Sequence, residues 1–329
     1  MDLEQYLKKI THGGFRSFIR KTAELGVQCE FIYSESSHIL KLSYGGKSIF
    51  CHKSNLPVYR RMGNLTKNKE ITKTILGAIG IKTPRGIVAN TLKDALKGIE
   101  SEKLPFPLLC KPLSGSLAKG VTWNLTSLKE LKSAVQWAQK AYNKKRSLRF
   151  LIEEMFVGKE YRVLVFDKKV LSCVEKIPAG LTGDGHSTLE ELIHTFNKTR
   201  VKGFEIKLDK TARETLKREK LSLESVLPED YFLKLRNNLN MSDGGRAIDR
   251  TLEMSPVFRE IAERAIEAVG LTYGGLDFLA DDITKSESDY VILEINPNPF
   301  YNMHEKPLVE GRGVDVSKAI LKSLFPTLP

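Results

Sequence analysis

Two late apolar segments carry oxygen-bearing side chains at a regular spacing. Asp277 lies within GGLDFLA, and Glu294 and Asn296 lie within VILEINP. Because side chains alternate faces along a strand, Glu294 and Asn296 point the same way, and antiparallel pairing can bring Asp277 opposite them. Such a set of hard oxygens suits Mg²⁺. We expect a magnesium site rather than a polar rim of strand ends, because unpaired carboxylates among apolar neighbours are costly.

A lysine followed by a loop of small residues forms the second group. Lys111 ends an apolar run, and the segment SGSLAKG follows from Ser114 to Gly120. The backbone amides of such a loop can approach a phosphate closely. No GxxxxGK[ST] motif is present, so the loop should lead into a strand. Taken alone the loop could be a simple turn, and only the acidic trio makes nucleotide binding the stronger interpretation.

Two further segments are open to more than one interpretation. The stretch from Phe150 to Arg162 turns at Gly158 and could present backbone groups and a carboxylate to an adenine and its ribose, or simply connect two lobes. Arg236, in a segment with a pair of glycines, could face an anion or belong to a capped surface turn. The histidines have no nucleophile partner or metal spacing and are interpreted as structural: His12, His186 and His304.

These residues must be positioned by helices and strands whose periodicity changes along the chain. The pattern predicts an α+β fold with three parts: a small α/β layer (1–63), a first α+β lobe (64–150) and a second lobe with the metal and substrate site (151–329). The two lobes should enclose a cleft. The first lobe should run helix, strand, Gly-rich loop, strand, helix.

Local signals predict individual elements. In the first part we expect a helix from Phe15 to Leu25 and strands over 31–33, 39–44 and 47–50 with a Gly45-Gly46 turn, and in the first lobe a helix with an apolar face of Leu128, Leu131, Val135, Ala138 and Tyr142. The second lobe should begin with strands over 150–153, 161–166 and 170–176, the last two joined by an Asp167-Lys168 turn. A helix capped by Ser187 and Glu190, a helix from Ser255-Pro256 to Val269, and strands over 274–280 and 290–295 should follow.

Composition narrows the class of protein. The 329 residues are 41% hydrophobic and 28% charged, as in an ordinary globular protein. No signal-peptide or membrane-span pattern is present, which predicts a cytoplasmic protein without membrane contact. The net charge of +12 favours anionic partners. The basic residues are spread along helices without interleaved aromatics, so nucleic acid is not favoured. The four cysteines lack metal-ligand spacing and should be buried thiols.

With these motifs in view, the chain resembles the ATP-grasp superfamily, and within it the ligases typified by cyanophycin synthetase and by bifunctional glutathione synthetase. The resemblance runs from about residue 37 onward. It is carried by seven ordered stretches: NKEITKTIL (68–76), LLCKPLSGSLAKGVTWNLTS (108–127), IEEMFVGKEYRVLVF (152–166), GDGHSTLEELI (183–193), LRNNLNMSDGGRAIDRT (235–251), GGLDFLADDI (274–283) and VILEINPNPFYNMH (291–304).

The resemblance implies a role for each matching residue. ATP and Mg²⁺, which Mn²⁺ can replace, are the expected cofactors, with ATP sandwiched between the two lobes of an ATP-grasp fold. For the nucleotide, it implies phosphate-binding lysines at Lys69 and Lys111, a phosphate cover containing Ser114, Gly115, Ser116 and Gly120, an adenine hinge at Glu153, Glu154 and Phe156, and a ribose contact at Glu160. It implies metal ligands at Asp277, Glu294 and Asn296. It places Arg236 and Asn238 near the transferred phosphoryl group and the acceptor.

The resemblance also implies an activity. A ligase of this type phosphorylates the carboxylate of an amino acid or peptide and joins it to an amine, releasing ADP and phosphate. The chain has no segment that matches the other domains of those enzymes, so a standalone ligase is expected, and relatives commonly form homodimers or homotetramers. The alternatives are a specific glutathione or γ-glutamyl-peptide synthetase, an ATP-binding module without catalysis, and a basic nucleic-acid binder.

Overall fold

The computed structural model describes residues 13–34, 37–52, 56, 66, 69–113, 120–141 and 149–328. His12, Tyr142 and the loop residues Ser114, Gly115 and Ser116 lie outside the described residues. The chain divides into two compact units that each draw on distant parts of the sequence. The first unit comprises 1–59, 171–252 and 298–329, and the second comprises 60–170 and 253–297.

A four-stranded antiparallel sheet with two helices forms one part of the second unit. Its strands are β4 (Gly86–Ala89), β5 (Leu108–Pro112), β6 (Thr122–Leu125) and β7 (Phe150–Glu154), in the order β4-β7-β5-β6. The helices α3 (Leu92–Ser101) and α4 (Leu128–Ala141) bury their apolar faces against it. Leu131, Val135 and Ala138 are buried as predicted, whereas Leu128, the first residue of α4, is 55% exposed.

The rest of the second unit is a three-stranded antiparallel ribbon with two helices. The ribbon has β13 (Tyr273–Ala280) in the centre, flanked by β8 (Lys159–Phe166) and β14 (Tyr290–Asn296). The helices are α2 (Lys69–Ala78) and α7 (Pro256–Ala268). The Ser255 hydroxyl caps α7 by accepting from the Phe258 amide, and Pro256 is its first residue, as predicted. Phe258 packs edge-on against Phe278 and Tyr290, which ties α7 to the ribbon.

The amino-terminal part of the first unit is a helix and a three-stranded antiparallel sheet. Helix α1 (Gly13–Glu24) is followed by β1 (Gln28–Ser34), β2 (Ser37–Tyr44) and β3 (Lys47–His52). Gly45 and Gly46 both have positive φ, as the predicted tight turn between β2 and β3 requires. Phe15, Phe18 and Ile19 of α1 are fully buried.

The remainder of the first unit contains β9 from residue 171 onward and the carboxy-terminal segment. Its elements are β9 (Lys169–Ile177), β10 (Gly180–Thr182), α5 (Leu189–Lys198), α6 (Lys210–Arg218), β11 (Phe232–Lys234), β12 (Arg246–Asp249), β15 (Val309–Glu310) and α8 (Val316–Leu324). Strand β12 pairs with both β9 and β15, and β10 pairs with β11. Helices α5 and α6 enclose an apolar cluster that includes Leu189 and Leu216.

Most predicted elements are confirmed, including the α+β class and the Asp167-Lys168 turn, where both residues have positive φ. Besides the exposure of Leu128, two expectations are wrong. The cap of α5 is Thr188 with Glu191, one residue later than predicted. The first lobe was expected to contain one strand before the Gly-rich loop, but β4 and α3 precede β5.

Two other features bear on the class of protein. All four cysteines are free thiols; Cys51, Cys110 and Cys173 are buried, and Cys29 is partly exposed. Among the described residues, no helix has the length and apolar character that a membrane crossing requires.

Candidate functional site

The acidic residues predicted on the late strands lie side by side. Asp277 on β13 is the register partner of Glu294 on β14, which confirms the expected pairing of these strands. Asn296 lies two residues further along β14, and its amide donates to Glu294 Oε1 at 3.0 Å. Two carboxylates and one side-chain amide thus meet at one place on the ribbon.

A buried arginine accompanies this group. Arg162 on β8 is the register partner of Asp277, and its guanidinium donates to both carboxylate oxygens at 2.6 and 3.0 Å. Arg162 is 9% exposed and Asp277 is 5% exposed. Burial alone would lower the pKa of Arg162, but Asp277 and then Glu294 raise it above its ordinary value. The arginine therefore stays charged and holds the Asp277 carboxylate in a fixed orientation.

The donor types fit a magnesium ion. Two carboxylates lie opposite each other on β13 and β14, and the side-chain amide of Asn296, which contacts Glu294 through its nitrogen, carries an oxygen that would serve as a further hard ligand for Mg²⁺. Within the described part of the chain, no cluster of three or more His, Cys, Asp or Glu side chains is arranged to hold a metal. A site here would therefore need Asn296 and the oxygens of substrate or water in addition to Asp277 and Glu294.

Three lysines on α2 and β5 contact Glu294 or another carboxylate of the second unit, Glu153. Lys69, the first residue of α2, places Nζ 3.5 Å from Glu294 Oε2. Lys73, one turn later, places Nζ 2.6 Å from Glu153 Oε1. Lys111 on β5 contacts the other oxygen, Glu153 Oε2. Lys69 therefore lies beside a predicted metal ligand, while Lys73 and Lys111 share one buried carboxylate.

The phosphate loop is described only at its end. Gly120 has φ +75 and lies two residues before β6, which pairs antiparallel with β5. The expectation that a strand follows the loop is confirmed. The assigned phosphate contacts of the loop stay a prediction.

The predicted adenine hinge connects β7 to β8. Glu154 is paired with Arg85, whose backbone amide and Nε donate to the carboxylate at 3.0 and 2.9 Å. Phe156 and Glu160 are half-buried. The carboxylates of Glu153 and Glu154 are thus both engaged by cations, and the adenine and ribose roles of the hinge stay a prediction.

Arg236 and Asn238 belong to the first unit. Arg236 is 7% exposed, and its Nη2 lies 2.7 Å from Asp209 Oδ1 and donates to the Lys207 carbonyl at 3.2 Å. The pKa of Asp209 is lowered, chiefly by the hydrogen bond from Arg236. Asn238 Oδ1 accepts from the Asn240 amide at 3.2 Å. Arg236 is therefore a buried, oriented cation rather than part of an exposed turn.

Sequence reasoning missed three residues that pair with predicted site residues within their own units: Lys73, Arg85 and Asp209. Lys73 carried a local signal, because it lies four residues after Lys69 and hence on the same face of α2. Asp209 carried the signal of a helix N-cap, which it is. No local pattern marked Arg85. Arg162 was named only as the end of the stretch that turns at Gly158, whereas the structure pairs it with Asp277.

Comparisons with known proteins agree with the motifs. No protein-family model matches the chain. A cyanophycin synthetase of Trichormus variabilis is 36% identical over 271 residues, covering 80% of this chain and 29% of the relative. The bifunctional glutathione biosynthesis protein of Enterococcus faecalis is 30% identical over 325 residues, covering 94% of this chain and 42% of the relative.

A solved structure shows the same similarity. The crystal structure of a bifunctional glutathione synthetase from Pasteurella multocida matches with a TM-score of 0.73 and 25% identity, covering 96% of this chain and 44% of that one. The chain thus spans less than half the length of these relatives. The ordered motifs, the fold and these similarities together show that the chain belongs to the ATP-grasp superfamily.

Proposed function

We propose that the chain is an ATP-dependent carboxylate–amine ligase that forms an amide or peptide bond through an acyl phosphate. The observation that carries this proposal is the contact of Lys69 with Glu294, which itself faces Asp277. A lysine thereby lies beside a pair of carboxylates, which supports a site for phosphoryl transfer because such sites combine cations with metal-binding oxygens.

The charges of the second unit suit a triphosphate. Four cations meet three carboxylates here: Lys69, Lys73, Lys111 and Arg162 against Glu153, Asp277 and Glu294. Asp277, Glu294 and Asn296 would hold Mg²⁺, which when bound neutralises charge on the β- and γ-phosphates. Lys69 and Lys111 would turn from their carboxylates towards the phosphate oxygens.

The reaction then follows two displacements. A substrate carboxylate oxygen attacks the γ-phosphorus, and ADP leaves with the electrons of the broken bond. The amine attacks the carbonyl carbon of the acyl phosphate, loses a proton, and expels phosphate that carries the former carboxylate oxygen. The resemblance assigns a phosphate cover to residues 114–120, of which only Gly120 is among the described residues. The resemblance assigns Arg236 and Asn238 to the transferred phosphoryl group and the acceptor, and we retain both as part of the proposal.

The test follows ATP and a labelled oxygen. The chain is incubated with ATP, magnesium, pooled amino acids and γ-glutamyl peptides, and products are identified by mass spectrometry. We expect ADP release that depends on a substrate pair, and one ¹⁸O atom in the released phosphate when the substrate carboxylate carries the label. ADP release that no substrate stimulates would instead favour an ATP-binding module without catalysis.

A narrower function is glutathione or γ-glutamyl-peptide synthesis. It is favoured by the match to a bifunctional glutathione synthetase over 96% of this chain. Product formation from γ-glutamylcysteine and glycine, and not from other pairs, would establish it. We further propose that the substrates are small molecules, that the chain is cytoplasmic, and that it forms homodimers or homotetramers.

A further inference from the structure

A buried carboxylate lies between two lysines in the second unit. Glu153 is 3% exposed. One of its oxygens lies 2.6 Å from Lys73 Nζ, and the other contacts Lys111 Nζ. The lysine side chains are themselves only 16% and 14% exposed. Because water is largely excluded, each charge in this group depends on the others.

Two neighbouring strands and one helix position the three side chains. Lys111 and Glu153 lie on paired strands β5 and β7, where Lys111 is opposite Leu151 and Glu153 is opposite Leu109. They are therefore diagonal neighbours on one face of the sheet. Lys73 reaches the same carboxylate from α2.

Gly86 leaves the room that the Glu153 side chain needs. Gly86 lies on β4 and is the register partner of Glu153 on β7. A Cβ at this position would collide with the Ile152 carbonyl oxygen and lie 2.7 Å from Glu153 Cγ. The glycine thus lets a full glutamate side chain lie against β4.

The electrostatics of the group favour an ionised carboxylate. Burial alone would raise the pKa of Glu153, but Lys111 and then Lys73 outweigh burial and hold the pKa below its ordinary value. If Lys111 leaves for a phosphate, an ionised Glu153 without a second lysine would be a buried unpaired charge, which is costly. With Lys73 in place, the carboxylate keeps a partner.

We propose that Glu153 is the counter-ion that sets how readily Lys111 binds nucleotide phosphates, and that Lys73 is a positioning residue that retains Glu153 when Lys111 turns away. The inference rests on the proposed nucleotide site, and it gives Glu153 a role towards phosphate in addition to the adenine role that the resemblance implies. Both oxygens of Glu153 contact ammonium groups, and each oxygen keeps a lone pair that can accept from an adenine amine.

The two proposed roles predict opposite changes in affinity. In Lys73→Met, Glu153 and Lys111 become an exclusive pair, so Lys111 is harder to release and phosphate binding weakens. In Glu153→Gln, the two lysines lose their counter-ion, so phosphate binding strengthens while the free energy of unfolding falls. Lys73→Arg keeps the positive charge and should behave like the unchanged chain.

Calorimetric titration with five magnesium-supplemented ligands tests this: ATP, ADP, AMP, adenosine and inorganic triphosphate. We expect Lys73→Met to weaken ATP and triphosphate about tenfold, equivalent to about 1.4 kcal/mol, and to leave adenosine unchanged. We expect Glu153→Gln to tighten triphosphate relative to adenosine. Loss of all adenine ligands in Glu153→Gln with triphosphate unchanged would overturn the inference in favour of adenine recognition.

Matched controls and a folding measurement keep the test decisive. Lys82→Met removes an exposed lysine paired with Asp289 in the same unit, and Glu267→Gln removes an exposed partner of Lys168. Neither should change any of the five affinities. Equal weakening of all five ligands in Lys73→Met, together with a lowered Tm that Lys73→Arg does not restore, would show a merely structural role and overturn the inference.

The proposed function and this inference can fail separately. If the chain binds ATP but releases ADP with no substrate pair, the ligase proposal fails while the affinities still decide the role of Glu153. If substrates are joined but the variants bind all phosphates as the unchanged chain does, the ligase proposal stands and the inference fails.

Discussion

Arg162 and Asp277 face each other across β8 and β13, and their side chains form a two-point ion pair with N–O distances of 2.6 and 3.0 Å. Both are buried. Removing the cation alone leaves a desolvated carboxylate, so Arg162→Met should lower the free energy of unfolding by about 3–5 kcal/mol. Urea unfolding measures this change.

The double variant Arg162→Met/Asp277→Met provides the internal comparison. It removes both charges, so its loss should be clearly smaller than the sum of the two single losses. Arg264→Met, an exposed arginine of α7, should change the free energy of unfolding by less than about 0.5 kcal/mol. Additive losses in the double variant would mean that Arg162 and Asp277 stabilise the fold independently.

Substitution of Glu294 should impair catalysis and leave the stability of the fold almost unchanged. Glu294→Gln keeps the side-chain volume but removes a predicted metal ligand charge and the partner of Lys69. Substrate-dependent ADP release should fall about 10²-fold or more, and the magnesium concentration for half-maximal release should rise. The Tm should change little, because the pair with Lys69 is 3.5 Å long and the Glu294 side chain is 35% exposed. Magnesium titrations of ADP release provide the measurement.

A matched control for Glu294 lies in the loop that joins β13 to β14. Glu287 is exposed there, and Glu287→Gln should leave both the rate and the magnesium dependence unchanged. Full activity of Glu294→Gln at low magnesium would reject the assignment of Glu294 as a metal ligand.

The sequence allowed the acidic strands to be predicted because their spacing is local. Glu294 and Asn296 are two residues apart, and alternation along a strand then fixes their common face. Pairing with Asp277 followed from one short connection between two apolar runs. A signal of equally short range, a capping serine followed by a proline, located Ser255-Pro256 at the start of α7.

The neutralising partners could not be predicted in this way. Arg162 and Asp277 are 115 residues apart, and Lys73 and Glu153 are 80 residues apart. No periodicity specifies which distant cation meets which carboxylate. The choice depends on strand order in the sheets, which local patterns leave open.

The displaced cap of α5 shows a different limit. Ser187 and Thr188 are each followed three residues later by a glutamate, so two capping boxes fit the same sequence. The structure selects Thr188 because the Ser187 hydroxyl donates instead to Asp184 Oδ2 at 2.6 Å. That hydrogen bond belongs to a turn that precedes the helix.

Glu305 should make the stability of the first unit depend on pH. Burial raises its pKa, and Asp315 adds to the effect, although hydrogen bonds from the Ser317 amide and hydroxyl and the charge of Lys21 oppose it. The folded chain therefore binds a proton more tightly than the unfolded chain. This contribution is full below the unfolded pKa and is lost as pH rises through the folded pKa.

Glu305→Gln isolates that contribution. The difference in free energy of unfolding between the unchanged chain and Glu305→Gln should shift in favour of Glu305→Gln as pH rises above the ordinary glutamate range. Urea unfolding at a series of mildly acidic to neutral pH values measures the difference. Glu214→Gln, an exposed glutamate of α6, should give a flat difference. A difference that moves the other way would mean that the carboxylate form of Glu305 is favoured by folding.

Asp209 makes two contacts in the first unit that different substitutions can remove. It caps α6 by accepting from the Ala212 amide, and it pairs with the buried Arg236. Asparagine caps a helix about as well as aspartate, so Asp209→Asn removes the charge and keeps the cap. Asp209→Ala removes both and should cost about 1 kcal/mol more in the free energy of unfolding.

If Asp209 positions Arg236 for phosphoryl transfer, then Asp209→Asn should lower the kcat of ADP release about tenfold, a change of about 1.4 kcal/mol in the barrier. Its Tm should fall, because the buried Arg236 loses its charged partner, and the KM for ATP should change less than kcat. Steady-state kinetics of Asp209→Asn, Asp209→Ala and Arg236→Lys give the comparison. Arg236→Lys keeps the charge but loses the planar fork, so it should impair kcat at least as much. If Asp209→Asn turned over normally while Arg236→Lys did not, the Lys207 carbonyl and the surrounding fold would suffice to orient the arginine, and Asp209 would be a helix cap alone.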